Sequence, residues 1–207
     1  MKIPLKYRNK PFVLFATGPS LTEEVVESIR PYKDKFIMLG CNDSYERVDY
    51  LHEHYACDDK WWRHHGEAVR KLRPELSCWS QAGQDLCDQY GVTHIPGQHK
   101  EGLSLDSNYI HYGSNSGFQS LNLAFLMGGN RFILVGYNMK QVAGLTHYFG
   151  DHPKGLKVTS PYAQFVSAYT NIQPKIKDLI INCTPDSALT MFKAADLEKE
   201  LKKYGRE

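Results

Sequence analysis

Short apolar runs, each ended by a cluster of turn residues, recur along the chain. Residues 12–15 form such a run without helical spacing, and Pro11 in front of them fits the first residue of a strand. The run stops at the turn cluster of residues 16–19, which contains Gly18 and Pro19. Similar runs predict further strands at residues 35–41, 49–57, 76–79, 92–95, 131–135 and 179–182.

Helical patterns lie between these runs. Ser20 followed by Glu23 has the spacing of a capping box, which predicts a helix that starts at Ser20 and continues to residue 31. Ser160 before Pro161 predicts another helix start, with the serine as N-cap and proline in the first turn. Further helices are predicted at residues 60–72, 84–90, 116–127 and 196–204.

The alternation of short strands with helices defines the expected fold class. It predicts an α/β protein with a Rossmann-like, doubly wound, mostly parallel sheet and helices on both faces. Residues 1–207 are interpreted as a single domain, since a chain of this length builds one core. Within it we expect a mobile loop at residues 140–159 and a C-terminal helix in residues 193–207.

The turns that follow the strands carry the candidate binding residues. Ligands of such sheets bind beyond the carboxyl ends of the strands, so these turns should share one rim. The first turn is a strand–glycine–helix junction, where backbone N–H groups and a positive helix end suit a phosphate, although neither common phosphate fingerprint is present. The predicted nucleotide-binding residues on this rim are Thr17, Gly18, Pro19, Ser20, Asn42, Asp43, Asp58, Ser116, Gly117, Gly136 and Tyr137.

Composition narrows the classes of protein. A formal charge of +2 is too small to argue by itself for nucleic-acid binding. No stretch approaches the length of a membrane span, and the N-terminus lacks the apolar segment of a signal peptide, so we expect a cytoplasmic protein, of a bacterium or a phage-infected host. The five cysteines include no C-x-x-C pair, which favours reduced thiols over a disulfide framework.

Two acidic residues follow the third predicted strand. Asp58 and Asp59 could ligate a Mg²⁺ ion bound to a nucleotide, as a phosphate-transfer enzyme would need. They could equally form a turn that leads into the next helix, with Asp59 as its N-cap. The sequence leaves Asp58 open between these roles and favours the cap for Asp59.

A histidine-rich stretch and a tryptophan pair also invite functional interpretations. The spacing H-x-H-x-x-C of His52, His54 and Cys57, even with His64 and His65 nearby, fits no common structural zinc site. Trp61 and Trp62, next to several basic residues, could form a platform for a base or a sugar. The alternative is a structural role, in which part of the tryptophan pair lies in the core and part lies at the surface.

Four short motifs, in order along the chain, resemble a known enzyme family. They are ATGPSL at residues 16–21, CNDSY at 41–45, SNSG at 114–117 with the strand RFILVGYN, and CTPDSALTMF at 183–192. Together they resemble the bacterial CMP-sialic-acid-dependent sialyltransferases of glycosyltransferase family 42. They also resemble the wider G-P-S-L superfamily, which includes hydroxymethylpterin pyrophosphokinases and many phage proteins.

The resemblance implies a nucleotide-binding transferase with a histidine base and no required cofactor. The base would be His152, the last residue of an H-Y-F-G-D-H run, with His147 as second candidate and Tyr148 as a group stabilising the departing phosphate. Ser187, in the last motif, would join the nucleotide site. The donor would be a nucleotide sugar, the acceptor a glycan or a modified nucleic acid, and the family's oligomers imply a homo-oligomer.

Three departures from the family pattern keep other functions open. Thr17 replaces an asparagine, the region of Gly113 replaces an arginine that meets the donor sugar, and the loop at residues 140–152 is short. The alternatives are a Mg²⁺-dependent pyrophosphokinase or nucleotidyl-transfer enzyme, for which Mg²⁺ would be the cofactor, and a non-catalytic nucleotide-binding phage protein.

Overall fold

The computed structural model describes residues 2–153, 156 and 160–204. The strands are Pro11–Phe15 (β1), Ile37–Cys41 (β2), Glu53–Tyr55 (β3), Ser77–Ser80 (β4), Thr93–His94 (β5), Gly97–Gln98 (β6), Ile110–His111 (β7), Arg131–Val135 (β8), Ile180–Asn182 (β9) and Lys193–Ala194 (β10). Eight of them form one sheet in the order β10-β9-β8-β1-β2-β3-β4-β5, and β6 pairs with β7. Every adjoining pair is parallel, which confirms the predicted doubly wound α/β fold.

Helices connect the strands. They are Glu23–Ile29 (α1), Ser44–Arg47 (α2), Asp59–Leu72 (α3), Gln84–Gln89 (α4), Ser116–Leu126 (α5), Tyr162–Thr170 (α6), Pro174–Lys177 (α7) and Leu197–Tyr204 (α8), with a short 3₁₀ turn at Arg30–Tyr32. In the described part of the chain, none is both long and apolar enough to cross a bilayer. The most apolar, α5, has ten buried residues and packs against the middle of the sheet.

The central strand β1 is covered on both faces. Phe12 and Leu14 belong to the core that contains α5, whereas Val13 and Phe15 belong to the core beneath α1 and α8. All four side chains are fully buried, which explains why this segment reads as an unbroken apolar run instead of an alternating one. A third cluster packs α3 and α4 on the far end of the sheet.

Three predicted helix caps are wrong. α1 begins three residues later than predicted, with Thr22 as N-cap accepting from the Val25 N–H at 3.3 Å. The N-cap of α3 is Asp58 and not Asp59, and that of α6 is Pro161 and not Ser160. Neither of these two helices has a side-chain cap.

Some predicted segments extend beyond the described residues. The loop predicted at 140–159 contains two isolated bridges, Val142 with Leu145 and His147 with Gly150, and then reaches residues 154–155 and 157–159, which lie outside the described chain. The predicted C-terminal segment 193–207 holds β10 and α8, and residues 205–207 lie outside likewise. The structure adds β6, β7 and β10, two-residue strands without a sequence signal.

A buried carboxylate ties the N-terminal segment to the sheet. Glu53, fully buried at the start of β3, accepts hydrogen bonds from Lys6 Nζ at 2.6 Å, Tyr7 Oη at 2.6 Å and Trp79 Nε1 at 2.7 Å. Burial, together with the hydrogen bond to Glu53, raises the pKa of Tyr7 to about 12. Removing the carboxylate would leave the buried Trp79 Nε1–H and the half-buried Tyr7 hydroxyl without an acceptor, which costs more than the net value of the bonds themselves.

We predict that Glu53→Ala lowers the free energy of unfolding by about 2–4 kcal/mol, because it leaves the buried Trp79 Nε1–H and the half-buried Tyr7 hydroxyl without an acceptor. Glu27→Ala is the control, since Glu27 is exposed and pairs with Arg30 at the surface, where the loss should stay below about 1 kcal/mol. Urea denaturation of both variants measures the difference. Equal losses would show that the Glu53 network does not stabilise the fold.

Candidate functional site

A cavity of about 750 Å³ opens at the carboxyl edge of the sheet. Its walls come from the turns after β1, β2, β3 and β8, from the N-termini of α3, α5 and α6, and from the segment that holds His147 and His152. This is the edge at which open parallel sheets bind ligands. The predicted site residues on its wall are Thr17, Gly18, Asn42, Asp58, Asp59, Ser116, Gly117, Gly136, His147 and His152.

The floor of the cavity depends on a close approach between two turns. The Gly18 N–H donates to the Gly136 carbonyl at 2.9 Å, and a Cβ at Gly18 would lie 2.3 Å from that oxygen. Asn138 locks the approach, because its Oδ1 accepts from Ser20 N at 3.1 Å and from Ser20 Oγ at 2.7 Å. Its Nδ2 donates to the Pro185 carbonyl at 3.2 Å, which adds the segment after β9.

The N-terminus of α5 forms one wall. Asn115 is its N-cap, and its Oδ1 accepts from Phe118 N at 2.8 Å and from the Tyr169 hydroxyl at 3.1 Å. The N–H groups of Ser116 and Gly117, in the first turn, have no acceptor within the helix and carry the positive end of its dipole. This wall therefore suits an anionic group such as a phosphate.

Asn42 projects from the turn after β2. Its backbone has a φ of 47°, and its carbonyl accepts from the His54 Nε2–H at 2.7 Å. Burial lowers the pKa of His54 to about 4, so the ring stays neutral and keeps one nitrogen protonated for this bond. The buried Asn42 Oδ1 has no hydrogen-bond partner among the described residues, which leaves an acceptor free for a ligand hydroxyl or amine.

The two histidines of the cavity wall have different surroundings. His147 Nδ1 lies 3.0 Å from Thr17 Oγ1, and burial, helped by the neighbouring His152, lowers the pKa of His147 to about 4. The ring of His152 lies 4.5 Å from that of His147, and its buried Nδ1 has no partner in the described part of the chain. His152 is thus the histidine whose nitrogen is free to interact with a ligand.

Six predicted site residues lie off the cavity wall: Pro19, Ser20, Asp43, Tyr137, Tyr148 and Ser187. Tyr137 is fully buried, and its carbonyl accepts from Ser187 Oγ at 2.6 Å. The Tyr148 hydroxyl donates to the Asp43 carbonyl at 2.7 Å, and the Tyr148 N–H donates to the Thr17 carbonyl at 3.0 Å. The hydrogen bonds of Tyr137, Tyr148 and Ser187 go to protein groups behind the cavity wall, and a role of the six residues in ligand binding stays a prediction.

Asp43 belongs to a buried network under the Asn42 turn. Its Oδ2 accepts from Trp61 Nε1 at 3.1 Å, and its Oδ1 lies 3.2 Å from His65 Nε2. The other His65 nitrogen lies 3.1 Å from the Tyr45 hydroxyl. Asp43, His65 and Glu46 offer ligand atoms within 4.8 Å of one another, the spacing of a metal site, but both His65 nitrogens already face protein groups.

The other sequence candidates are dispersed. The Asp59 carboxylate accepts from the Gly83 N–H at 2.9 Å, while Asp58, the N-cap of α3, lies at the cavity wall. His52 Nδ1 accepts from Met38 N at 3.0 Å, whereas Cys57 accepts from Ser116 Oγ at 3.3 Å, so the structure forms no H-x-H-x-x-C site from these described residues. All five cysteines are free thiols.

Both tryptophans are buried, which decides between their two interpretations. Trp61 is 4% exposed but reaches the cavity wall, and Trp62 is 1% exposed and donates to the Ala56 carbonyl at 2.9 Å. Neither presents a ring face to solvent as a stacking platform. The pair belongs mainly to the core under α3.

Several residues on the cavity wall are absent from the list of predicted site residues, although Asn115 and Asn138 lie in motifs that the sequence singles out. Asn138 and Asn115 hold the turns, Lys60 and Lys140 bring positive charge, and Tyr162 and Phe165 bring aromatic surface from α6. The only available signal was position: Asn138 ends the GYN turn after a confident strand, and Asn115 precedes a helix.

Comparisons with known proteins support the architecture. No protein-family model matches the chain, and no match was found among curated proteins. Among solved structures the chain is similar to the MAf glycosyltransferase from Magnetospirillum magneticum AMB-1, with a TM-score of 0.60 and 10% identity. The likeness covers 99% of this chain and 38% of that chain. It shows a shared fold, and the resemblance to family 42 stays a prediction.

We predict that the neutral, buried His54 makes the protein acid-sensitive. Its folded pKa of about 4 lies below the ordinary value of 6.5, so the unfolded chain binds the extra proton and stability is lost as pH falls from 6.5 to 4. In His54→Gln, whose amide can still donate to Asn42, the loss between pH 7 and 4.5 should be smaller by about 2 kcal/mol.

Urea denaturation at the two pH values measures this difference. His64→Gln is the control, because His64 is exposed on α3 and its removal should leave the acid loss unchanged. An identical acid loss in wild type and His54→Gln would contradict the assignment of a neutral His54.

Proposed function

We propose that the protein is a nucleotide-sugar-dependent glycosyltransferase of sialyltransferase type, which moves a sugar from a nucleotide donor, with CMP as first candidate, to a hydroxyl of the acceptor. The observation that carries the proposal is the composition of one cavity. It combines two helix N-termini, at Asp59 and Ser116, with a histidine whose Nδ1 is unpartnered among the described residues. The similarity in fold to a glycosyltransferase agrees with this class.

The donor's phosphate would lie against the N-terminus of α5. Ser116 and Gly117 would donate their backbone N–H groups, and Lys60 and Lys140 would supply positive charge at the cavity wall. The free Oδ1 of Asn42 would accept from a ribose hydroxyl or a base amine. A volume of about 750 Å³ lies within the range of sites for ligands of this size.

His152 is the base that the geometry favours. In the transfer step, a His152 nitrogen takes the proton of the acceptor hydroxyl, the oxygen bonds to the anomeric carbon, and the bond from that carbon to the donor phosphate breaks. The nucleotide leaves with the bonding electron pair, and the helix N-termini stabilise its charge. His147, with a pKa of about 4 and a bond to Thr17, is a weak proton acceptor at neutral pH and would orient the site.

A second candidate is a Mg²⁺-dependent pyrophosphokinase or nucleotidyl-transfer enzyme. The presence of Asp58 on the cavity wall favours it, since a carboxylate at a strand end can hold a nucleotide-bound cation. It requires that Mg²⁺ tighten ATP binding and that Asp58→Asn remove the gain. A third candidate, a non-catalytic nucleotide-binding phage protein, requires that His152→Ala and His147→Ala leave its biological role unchanged and that Gly18→Val destroy it.

We predict that the cavity binds a nucleotide from a panel of CMP, CDP, UDP, GDP and ADP with a dissociation constant below about 1 mM. This corresponds to a binding free energy of at least about 4 kcal/mol in favour of the complex. Asn42→Ala should weaken binding about tenfold, because it removes a buried acceptor. Asn108→Ala, at an exposed turn, is the control and should leave affinity unchanged. Calorimetry measures both, and a panel without any binding would refute the nucleotide site.

We predict that His152→Ala lowers donor turnover at least 100-fold while the nucleotide dissociation constant changes less than about threefold, as expected for loss of a base. His147→Ala should have a smaller effect on turnover. The measurement is release of the nucleotide from the nucleotide sugar that binds, with and without acceptor glycans. Turnover that survives in His152→Ala but is lost in His147→Ala would reverse the assignment.

A further inference from the structure

A second groove lies at the opposite edge of the sheet from the cavity. It has a volume of about 290 Å³ and lies at the amino ends of β8, β9 and β10, beside α7 and α8. Its lining includes four basic side chains and, among the described residues, one carboxylate, Asp178. The basic residues are Arg131, Lys177, Lys193 and Lys203. Such a local excess of positive charge contrasts with a formal charge of +2 for the whole chain.

Arg131 and Tyr204 form the centre of this groove. Arg131 Nη1 donates to the Asp178 carbonyl at 2.9 Å, and the guanidinium lies 5.0 Å from the centre of the Tyr204 ring. The buried Arg131 Nε has no partner among the described residues. Lys203 Nζ lies 4.8 Å from the same ring. The protein's own contacts thus leave hydrogen-bonding capacity of the guanidinium unused, beside an aromatic ring.

The basic residues of the groove come from several different elements. Arg131 begins β8 and Lys193 begins β10, and β9 lies between them, so their backbones are two strand spacings apart, or about 10 Å. Lys177 Nζ donates to the Thr170 carbonyl at 2.6 Å and is held on the other wall. Cations at this spacing around an aromatic ring suit a chain of phosphates that carries bases.

We propose that this groove binds a short single-stranded nucleic-acid segment through its phosphate backbone, with Arg131, Lys193 and Lys203 as the phosphate contacts and Tyr204 beside a base. The site is separate from the cavity, which lies at the carboxyl edge of the same sheet, beyond β1, β2, β3 and β8. The proposal therefore goes beyond the transfer reaction and does not depend on it.

Fluorescence anisotropy with a labelled 12-nucleotide single strand in 50 mM salt tests the proposal. The double variant Lys193→Gln/Lys203→Gln should weaken binding at least tenfold and should flatten the dependence of binding on salt. The control is Lys33→Gln/Lys71→Gln, which removes the same charge from exposed positions outside the groove and should change affinity less than twofold.

Each alternative outcome has a distinct signature. No binding up to 1 mM protein, or equal weakening by the two double variants, overturns the proposal. If inorganic phosphate displaces the labelled strand as well as the unlabelled oligonucleotide does at equal concentration, the groove is a site for free phosphate and the proposal is wrong. Loss of oligonucleotide binding in Asn42→Ala with the groove variant unaffected places the nucleic acid in the cavity, which also overturns the proposal.

Discussion

The close approach of the turns after β1 and β8 is the constraint on which the site depends. Two glycines, Gly18 and Gly136, let the backbones meet, and Asn138 holds the two turns together because its Oδ1 accepts from Ser20. The Nδ2 of the same amide donates to the Pro185 carbonyl and adds the segment after β9. Because β1 and β8 are central strands, the contacts between these two turns fix the floor of the cavity relative to both cores. The helix N-termini, Asn42 and the two histidines are arranged around that floor.

The architecture could be predicted from the sequence because its cause is local and repeated. A buried parallel strand is apolar on both faces, so β1 and β8 appear as unbroken runs between turn residues. The parallel arrangement then brings the ends of such runs to one edge, which places Gly18, Asn42 and Ser116 around one cavity without knowledge of any contact.

The details of the site could not be predicted because they depend on partners distant in sequence. Ser20 has the spacing of an N-cap, but Asn138 competes for its hydroxyl, and Thr22 caps α1 instead. Tyr148 stands in a histidine-containing motif, yet its hydroxyl points to the Asp43 carbonyl. The difference between His147 and His152 arises from burial and from Thr17, neither of which their own sequence positions encode.

The two ends of the sheet have a consequence for how copies of this protein could associate. The outermost strands, Thr93–His94 and Lys193–Ala194, are each two residues long, and the second carries an exposed lysine. An edge strand this short, with a charged residue, offers too few free backbone groups for a strand of another molecule to pair with it. Pairing between edge strands of different molecules is a common route to aggregation. A homo-oligomer of this fold would therefore be built through helix and loop surfaces, not through a continuous intermolecular sheet.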